Sequence, residues 1–352
     1  MRTNPIELSE REKAILRYVI HQYILTANPV GSRNISKKYD LGLSPATIRN
    51  IMADLEELGY LDHPHTSAGR VPTDKGYRFY VDSLMPKPRL AKSEKEFIKR
   101  SLEKNFDSPN AALKIASDVL SEITNQLACV TYPKFESAKL DKIRLVKLST
   151  KRLLVVITIK SGLVRTITLE LNSNLENGKI EAVQKFLNER LSGLTFREIR
   201  ETLPKRLKGK PNKDLQPIIR LFLDSSDKIF ANMPGDEKAF ISGVSRVVHQ
   251  PEFSDHEKVE SIIELIENKD VIVHFIDETF SEKQKKLAIA IGKEAKEKRF
   301  EEYSLIVKKY KLGEVSGALG IIGPKRMEYS KTVAAIEFIA ETLSKEMKKI
   351  KN

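Results

Sequence analysis

Cysteine is almost missing from this 352-residue chain, where Cys129 stands alone. That excludes an internal disulfide, the disulfide-stapled secreted scaffolds, and every zinc site built on two or more thiolates. Histidine is sparse as well, with six scattered residues that form no triad with a serine or cysteine. Neither a Gly-x-Ser-x-Gly elbow nor a His-Glu-x-x-His zinc motif occurs. Gly313, Gly317, Gly320 and Gly323 form a glycine-rich stretch, but no Gly-Lys-Ser/Thr follows. A P-loop is therefore unsupported, and these glycines read as turns and a tightly packed strand. His63 and His65 are spaced like a metal pair but have no third ligand nearby, so no metal and no cofactor is expected. Cys129, in the apolar context Leu127-Ala128-Cys129-Val130, reads as buried helix packing. No apolar run approaches the roughly 20 residues of a membrane helix. The charged first dozen residues do not form a secretory leader. The expectation is a soluble intracellular protein without a catalytic constellation and without a membrane partner.

With 40% hydrophobic and 31% charged residues, the chain has enough apolar material for a real core, and its length calls for two or three domains. Its 61 Lys and Arg exceed 48 Asp and Glu by 13, a surplus that favours anionic partners such as nucleic acid. The surplus is uneven: residues 1–85 carry eleven basic and ten acidic side chains, so nearly all of it lies beyond residue 85. Net charge does not by itself locate a DNA-binding surface, and motif geometry has to do so.

Ser9-Glu10-Arg11-Glu12 is a capping box, and helical apolar spacing from Ile15 to Ile24 carries a first helix to about Thr26. Asn28-Pro29 ends it, a short helix runs from Arg33 to Tyr39, and residues 40–43 make a tight turn. Ser44 caps a third helix with Pro45 at its first position and a stripe of Ile48, Ile51, Met52, Leu55 and Leu58. Two short strands joined by a loop follow Gly59, then a helix capped by Thr73 or Asp74, then a linker at 85–89. Three helices and a β-hairpin in this order spell a winged helix-turn-helix, whose third helix enters the major groove. Off its apolar stripe that helix presents Ser44, Thr47, Arg49 and Asn50. Arginine pairs with guanine and asparagine with adenine through two hydrogen bonds each, so Arg49 and Asn50 are the candidates for base readout. Ser44 and Thr47, with the free amides of the helix start, suit phosphate oxygens. The wing offers His65, Ser67 and Arg70 for phosphate or groove contacts. The bland alternative for all seven is a solvated helix face and an ordinary surface hairpin.

Beyond the linker, 94–106 and 110–127 pattern as helices, and 143–148, 153–159 and 163–171 as strands. Residues 180–230 return to helix, broken by a basic loop at 205–213, and 240–249 is compatible with strand. A helix at 257–268 precedes strands at 271–276, 287–292, 303–310 and 317–322, and a helix at 331–350 closes the chain. Strands interrupted by a helical block and then resumed predict one α+β domain carrying an insertion.

Several motifs carry a resemblance to a known family. Residues 29–32 (PVGS), 43–56 (LSPATIRNIMADLE), 59–61, 65–74 (HTSAGRVPTD) and 76–78 closely resemble HrcA, the heat-inducible transcription repressor family of bacteria. Residues 250–253 (QPEF), 291–294 (IGKE) and 317–327 (GALGIIGPKRM) match its later hallmarks. The resemblance implies an N-terminal winged-helix domain, a GAF-like domain and a dimerising domain inserted within it. Placed on this chain, the divisions are 1–85 for the DNA-binding domain and 86–105 for a linker and helix. The GAF-like domain takes 106–175 and 277–352, and the inserted dimerising domain 176–276. The resemblance further implies a homodimer on an inverted-repeat operator (CIRCE) upstream of chaperone operons. It adds the chaperonin GroEL as a partner that keeps the repressor active, and a cytoplasmic protein on the nucleoid when bound. The competing expectation is a ligand-responsive regulator that senses a small molecule through the GAF-like domain.

Overall fold

A computed structural model describes residues 7–64, 69–103, 109–160, 164–170, 177–208, 215–230, 239–283 and 287–349. The protein is α+β. Helix α1 (Glu10–Thr26) starts as its capping box requires: Glu12 N–H donates to Ser9 Oγ at 3.3 Å, and Ser9 N–H donates to the Glu12 carboxylate at 2.6 Å. Its buried stripe is Ile15, Leu16, Val19, Ile20 and Ile24. Helix α2 (Ser32–Lys38) and a turn in which Gly42 takes φ +61° lead to α3 (Pro45–Glu57). Strands β1 (Leu61–Asp62) and β2 (Val71–Pro72) pair antiparallel, and α4 (Asp74–Phe79) continues as a π-turn through Leu84. Thr73, not Asp74, caps α4, with Gly76 N–H donating to its Oγ1 at 3.1 Å. Gly76 is required here, because a Cβ would strike the Tyr60 carbonyl.

After α5 (Lys92–Glu103) and α6 (Pro109–Thr124) comes β3 (Leu127–Thr131). Residues 127–130, expected as helix, are thus strand: Asn125 adopts a left-handed φ of 54° and ends α6. A uniformly apolar run reads the same way in a buried helix and in a strand covered on both faces, which is why its period misleads. Strands β4 (Leu140–Ser149), β5 (Arg152–Ile159) and β6 (Val164–Glu170) make a separate three-stranded antiparallel sheet in that order. Helices α7 (Asn177–Leu191), α8 (Phe196–Arg206), α9 (Gln216–Asp224) and α10 (Ser226–Phe230) accompany it. Lys205 and Arg206, expected in a loop, are the last turn of α8, and 209–214 lie outside the described residues. Edge strand β4 does not leave its backbone bare. Asn188 of α7 bonds both N–H and C=O of Ile143 at 2.8 Å, and Gln184 accepts from Leu145 N–H at 2.9 Å.

Strand β7 (Ala239–Ser242) then returns to the neighbourhood of β3. The expected strand over 240–249 stops at Ser242, because Gly243 turns at φ +96° and α11 (Val244–Val248) follows. Helices α12 (His256–Glu267) and α13 (Lys269–Lys283) precede β8 (Leu287–Ile291), β9 (Tyr303–Leu312), β10 (Val315–Pro324) and α14 (Tyr329–Lys349). The expected strand at 271–276 lies inside α13. Its β-branched run suggests a strand, yet Ile272, Phe275, Ile276 and Thr279 are buried at helical spacing.

The second sheet is antiparallel with order β7-β3-β10-β9-β8. Side chains alternate across it. Ala128, Val130, Ile306, Leu319 and Ile321 join the core shared with α5, α6 and α14. Leu127, Cys129, Leu305, Val307 and Ile322 pack with Val247, Ile262, Ile272 and Phe275 of α11–α13. The sheet is left after Thr131 and rejoined at Ala239, and among the described residues β4–β6 pair only with one another. The interruption therefore falls between β3 and β7. Residues 140–170, assigned from sequence to the interrupted domain, stand in a sheet of their own, while α11 and α12 belong beside the five-stranded sheet.

Candidate nucleic-acid interface

The first two turns of α3 turn one face away from the core. Ser44 is its N-cap, its Oγ accepting from Thr47 N–H at 3.1 Å and lying 2.9 Å from the Thr47 hydroxyl. Ile48, Met52 and Leu55 anchor the opposite side among α1 and α2, while Ile51 and Leu58, read as part of the same stripe, are only half-buried. Helical geometry then leaves Ser44, Thr47, Arg49 and Asn50 exposed together. Four sequence-derived candidates are thus exposed together, at the start of a helix whose dipole is attractive to anions. The side chains of Arg49 and Asn50 make no hydrogen bond or ion pair among the described residues, so no partner restrains them from reading an external ligand.

The hairpin beside them is held differently from expectation. Arg70 does not project outward: its Nε lies 2.6 Å from Glu56 Oε2 on α3, its Nη1 lies 3.0 Å from His63 Nδ1, and its side chain is 19% exposed. Backbone bonds of 2.9 Å in both directions between Arg70 and Val30 tie β2 to the α1–α2 connection. Gly69 makes that approach possible, since a Cβ there would sit 2.7 Å from the Pro29 carbonyl carbon. Arg70 therefore braces the hairpin against α3. His65 and Ser67 lie outside the described residues. Glu56 carries no local signal in the sequence, because a glutamate in the last turn of a helix is common and its partner is 14 residues away.

The remaining chemistry is thin. Cys129 is fully buried in β3, and burial pushes its thiol up to about 12, so it is not a nucleophile at neutral pH. Beside the five-stranded sheet, Thr131, Lys134, Asp277, Lys309 and Gly317 line a cavity of about 110 Å³, with Lys134 and Asp277 paired at 2.8 Å. These polar residues are too far apart in the chain for spacing to have grouped them. The volume is well below the roughly 300–1,000 Å³ of small-molecule sites. Among the described residues, no group of three or more His, Cys, Asp or Glu is placed to hold a metal, and no helix is long and apolar enough to cross a membrane.

Comparison with known proteins adds the family. A profile described as HrcA protein C terminal domain matches residues 110–333. A protein of Chlorobium phaeobacteroides (strain BS1), named heat-inducible transcription repressor HrcA, is 40% identical, covering 96% of this chain and 98% of its own. Proteins of the same name from Chlorobium chlorochromatii (40% identical, 96% and 97% covered) and Pelotomaculum thermopropionicum (36% identical, 98% of each) align likewise. A crystal structure of a hypothetical protein at 2.2 Å resolution superposes with a TM-score of 0.62 at 24% identity, covering 98% of this chain and all of that one, so the two share a fold. Matched along nearly its whole length by proteins of that one name, the chain belongs to the HrcA family.

Proposed function

We propose that this protein is a heat-inducible, sequence-specific transcription repressor that acts by binding DNA and not by catalysis. The observation that carries the reading is the outward face at the start of α3, where Ser44, Thr47, Arg49 and Asn50 are exposed over the cap and first two turns while the opposite face is locked into the core. Residues 1–85 act as a winged helix-turn-helix. Arg49 and Asn50 contact base edges in the major groove, Ser44 and Thr47 contact phosphates, and His65 and Ser67 add phosphate or groove contacts. Arg70 acts on DNA through the hairpin that it braces. The five-stranded layered unit takes the part of the GAF-like domain.

The operator is an inverted repeat of the CIRCE type, which calls for a two-fold pair of chains with one reading helix on each half-site. The outer face of the three-stranded sheet suits that pairing. By register it presents Val146, Leu154, Val156 and Val164 among Thr158, Thr166 and Thr168, with Lys142, Arg144, Arg152 and Glu170 on the same face, and Val146 and Val164 are 45% and 58% exposed. Exposed valines ringed by charges of both signs on an uncovered sheet face favour a second copy of the chain as its cover. The chaperonin favours the DNA-competent form, and heat relieves repression by diverting it.

Fluorescence anisotropy on an inverted-repeat duplex and a scrambled duplex, at one salt concentration and with or without chaperonin, tests this reading. Selective binding strengthened by chaperonin is expected. Equal affinity for both duplexes in both conditions overturns it.

A further inference from the structure

Four short stretches far apart in the chain, 73–78, 250–253, 291–294 and 324–327, meet at one place in the structure. None of them touches the outward turn of α3. Asp74, at the start of α4, accepts from Lys293 N–H at 3.1 Å and pairs with Lys325 Nζ at 3.1 Å. Its carboxylate occupies the space that a side chain on Gly292 would fill, and Gly292 itself holds φ +54°. One turn later Arg78 grips Glu294 through two nitrogens at 2.7 and 2.5 Å and donates to the Ile289 carbonyl of β8 at 2.8 Å. Arg326 bonds Glu252 at 2.5 and 3.1 Å and donates to Ile24 O at 2.5 Å. Ile24 lies in the last turn of α1, which has no basic residue of its own, so Arg326 supplies from a distant element the cation that a helix C-terminus favours. At the centre Tyr77 packs on Tyr329, ring centroids 6.0 Å apart. The Tyr329 hydroxyl is bonded to Ser304 and to Lys325 O, both at 2.7 Å, whereas the buried Tyr77 hydroxyl has no partner among the described residues.

Tyr77 and Tyr329 belong to one hydrophobic cluster that runs from the head into the five-stranded unit. Around that apolar centre the fastening is ionic and directional, which fixes one orientation sharply, and its ion pairs are partly exposed, which makes each one weak. A buried hydroxyl without a partner favours the separated state, in which water satisfies it. Apart from this contact, the α1–α4 unit is joined covalently to the rest only through the proline-containing segment at 85–91.

We infer that this cluster is a releasable joint: Asp74, Arg78 and Arg326 are positioning residues that hold the α1–α4 head in one orientation on the five-stranded unit, and on warming the joint opens before either part unfolds. The inference rests on the DNA-binding reading for its consequence, because a dimer reads two half-sites well only if both heads are held in register. Losing the joint therefore costs affinity for a full inverted repeat and leaves binding to a single half-site intact.

The test uses the full-length protein with dyes on Glu57→Cys and Ile263→Cys, both exposed positions, mixed with excess unlabelled chain; buried Cys129 does not compete for label. Energy transfer is followed against temperature beside circular dichroism, and affinity is measured on full and half operators. In Arg78→Glu, transfer is expected to fall at ambient temperature, full-site affinity to drop at least tenfold, and half-site affinity to change less than twofold. Arg78→Glu combined with Glu294→Arg is expected to restore transfer and full-site affinity. Tyr77→Phe is expected to raise the temperature at which transfer is lost while the dichroism midpoint moves less. If Arg78→Glu does not fold, Tyr77→Phe and Arg326→Gln, expected to shift that temperature in opposite directions, decide the matter. Unchanged transfer in all variants, or transfer lost only together with secondary structure, overturns the joint. Equal losses on full and half sites overturn its positioning role. Variant-dependent transfer in a protein that binds neither duplex selectively supports the joint and rejects the DNA reading instead.

Discussion

The guanidinium of Arg70, in the hairpin, and the carboxylate of Glu56, in the last turn of α3, lie 2.6 Å apart. The pair ties the hairpin to α3, the two elements that the proposed function applies to DNA together. An exposed arginine in the hairpin would add one phosphate contact, whereas a braced one shapes the whole surface.

Arg70→Ala and Glu56→Gln are accordingly expected to weaken operator binding by similar factors and to leave the salt dependence of binding almost unchanged. Removal of a true phosphate contact lowers the slope of log affinity against log salt by about one. Titrations of both variants at several salt concentrations decide between brace and contact.

Arg49→Ala is expected to cost about 1–3 kcal/mol on the operator and to relax selectivity at one base step. Competition with a panel of single-base operator variants checks it. An equal loss on operator and scrambled DNA refutes base readout by Arg49.

Ser44→Ala removes the acceptor of Thr47 N–H and the hydroxyl partner of Thr47. Loss of such a cap is expected to lower stability by about 1 kcal/mol, read from denaturant unfolding, and to weaken DNA binding on both specific and scrambled duplexes.

Gly76→Ala places a methyl group against the Tyr60 carbonyl. Overpacking at a site bounded by backbone is expected to destabilise by about 1–3 kcal/mol. Thermal melting of the variant beside Gly178→Ala, where nothing lies within 4 Å of the added carbon, separates collision from the mere loss of a glycine.

Cys129 is expected to resist thiol reagents through pH 8–9 and to react only after denaturant opens the sheet. Its thiol is pushed from the usual 9.0 to about 12 by burial, so the native state holds the proton more tightly than the unfolded chain. The contribution to stability is complete below about pH 9 and is lost as pH rises toward about 12. Cys129→Ser changes this alkaline limb, which unfolding measured from pH 8 to 11 reports.

Local pattern was enough for the α1–α4 head. The Ser9 capping box, Pro45 after Ser44, and the spacing of Ile48, Met52 and Leu55 each act within a turn or two of helix, so α1–α3 and the outward face of α3 are readable from residues alone. The β-rich run 153–159 likewise announced a strand, which β5 is, although only the fold shows which of its faces is buried. Period failed where burial comes from both sides or where β-branched residues fill a helix, as in β3 and α13.

What tertiary structure decided is of another kind: that β4–β6 leave the main sheet, that Arg70 turns to Glu56, and that Arg78 meets Glu294 across 216 residues. Hydrophobic periodicity and capping are forces between near neighbours in the chain, and sequence displays them directly. The partner of a charged side chain is set by which surfaces the packed core brings within about 4 Å, and no spacing along the chain encodes that distance.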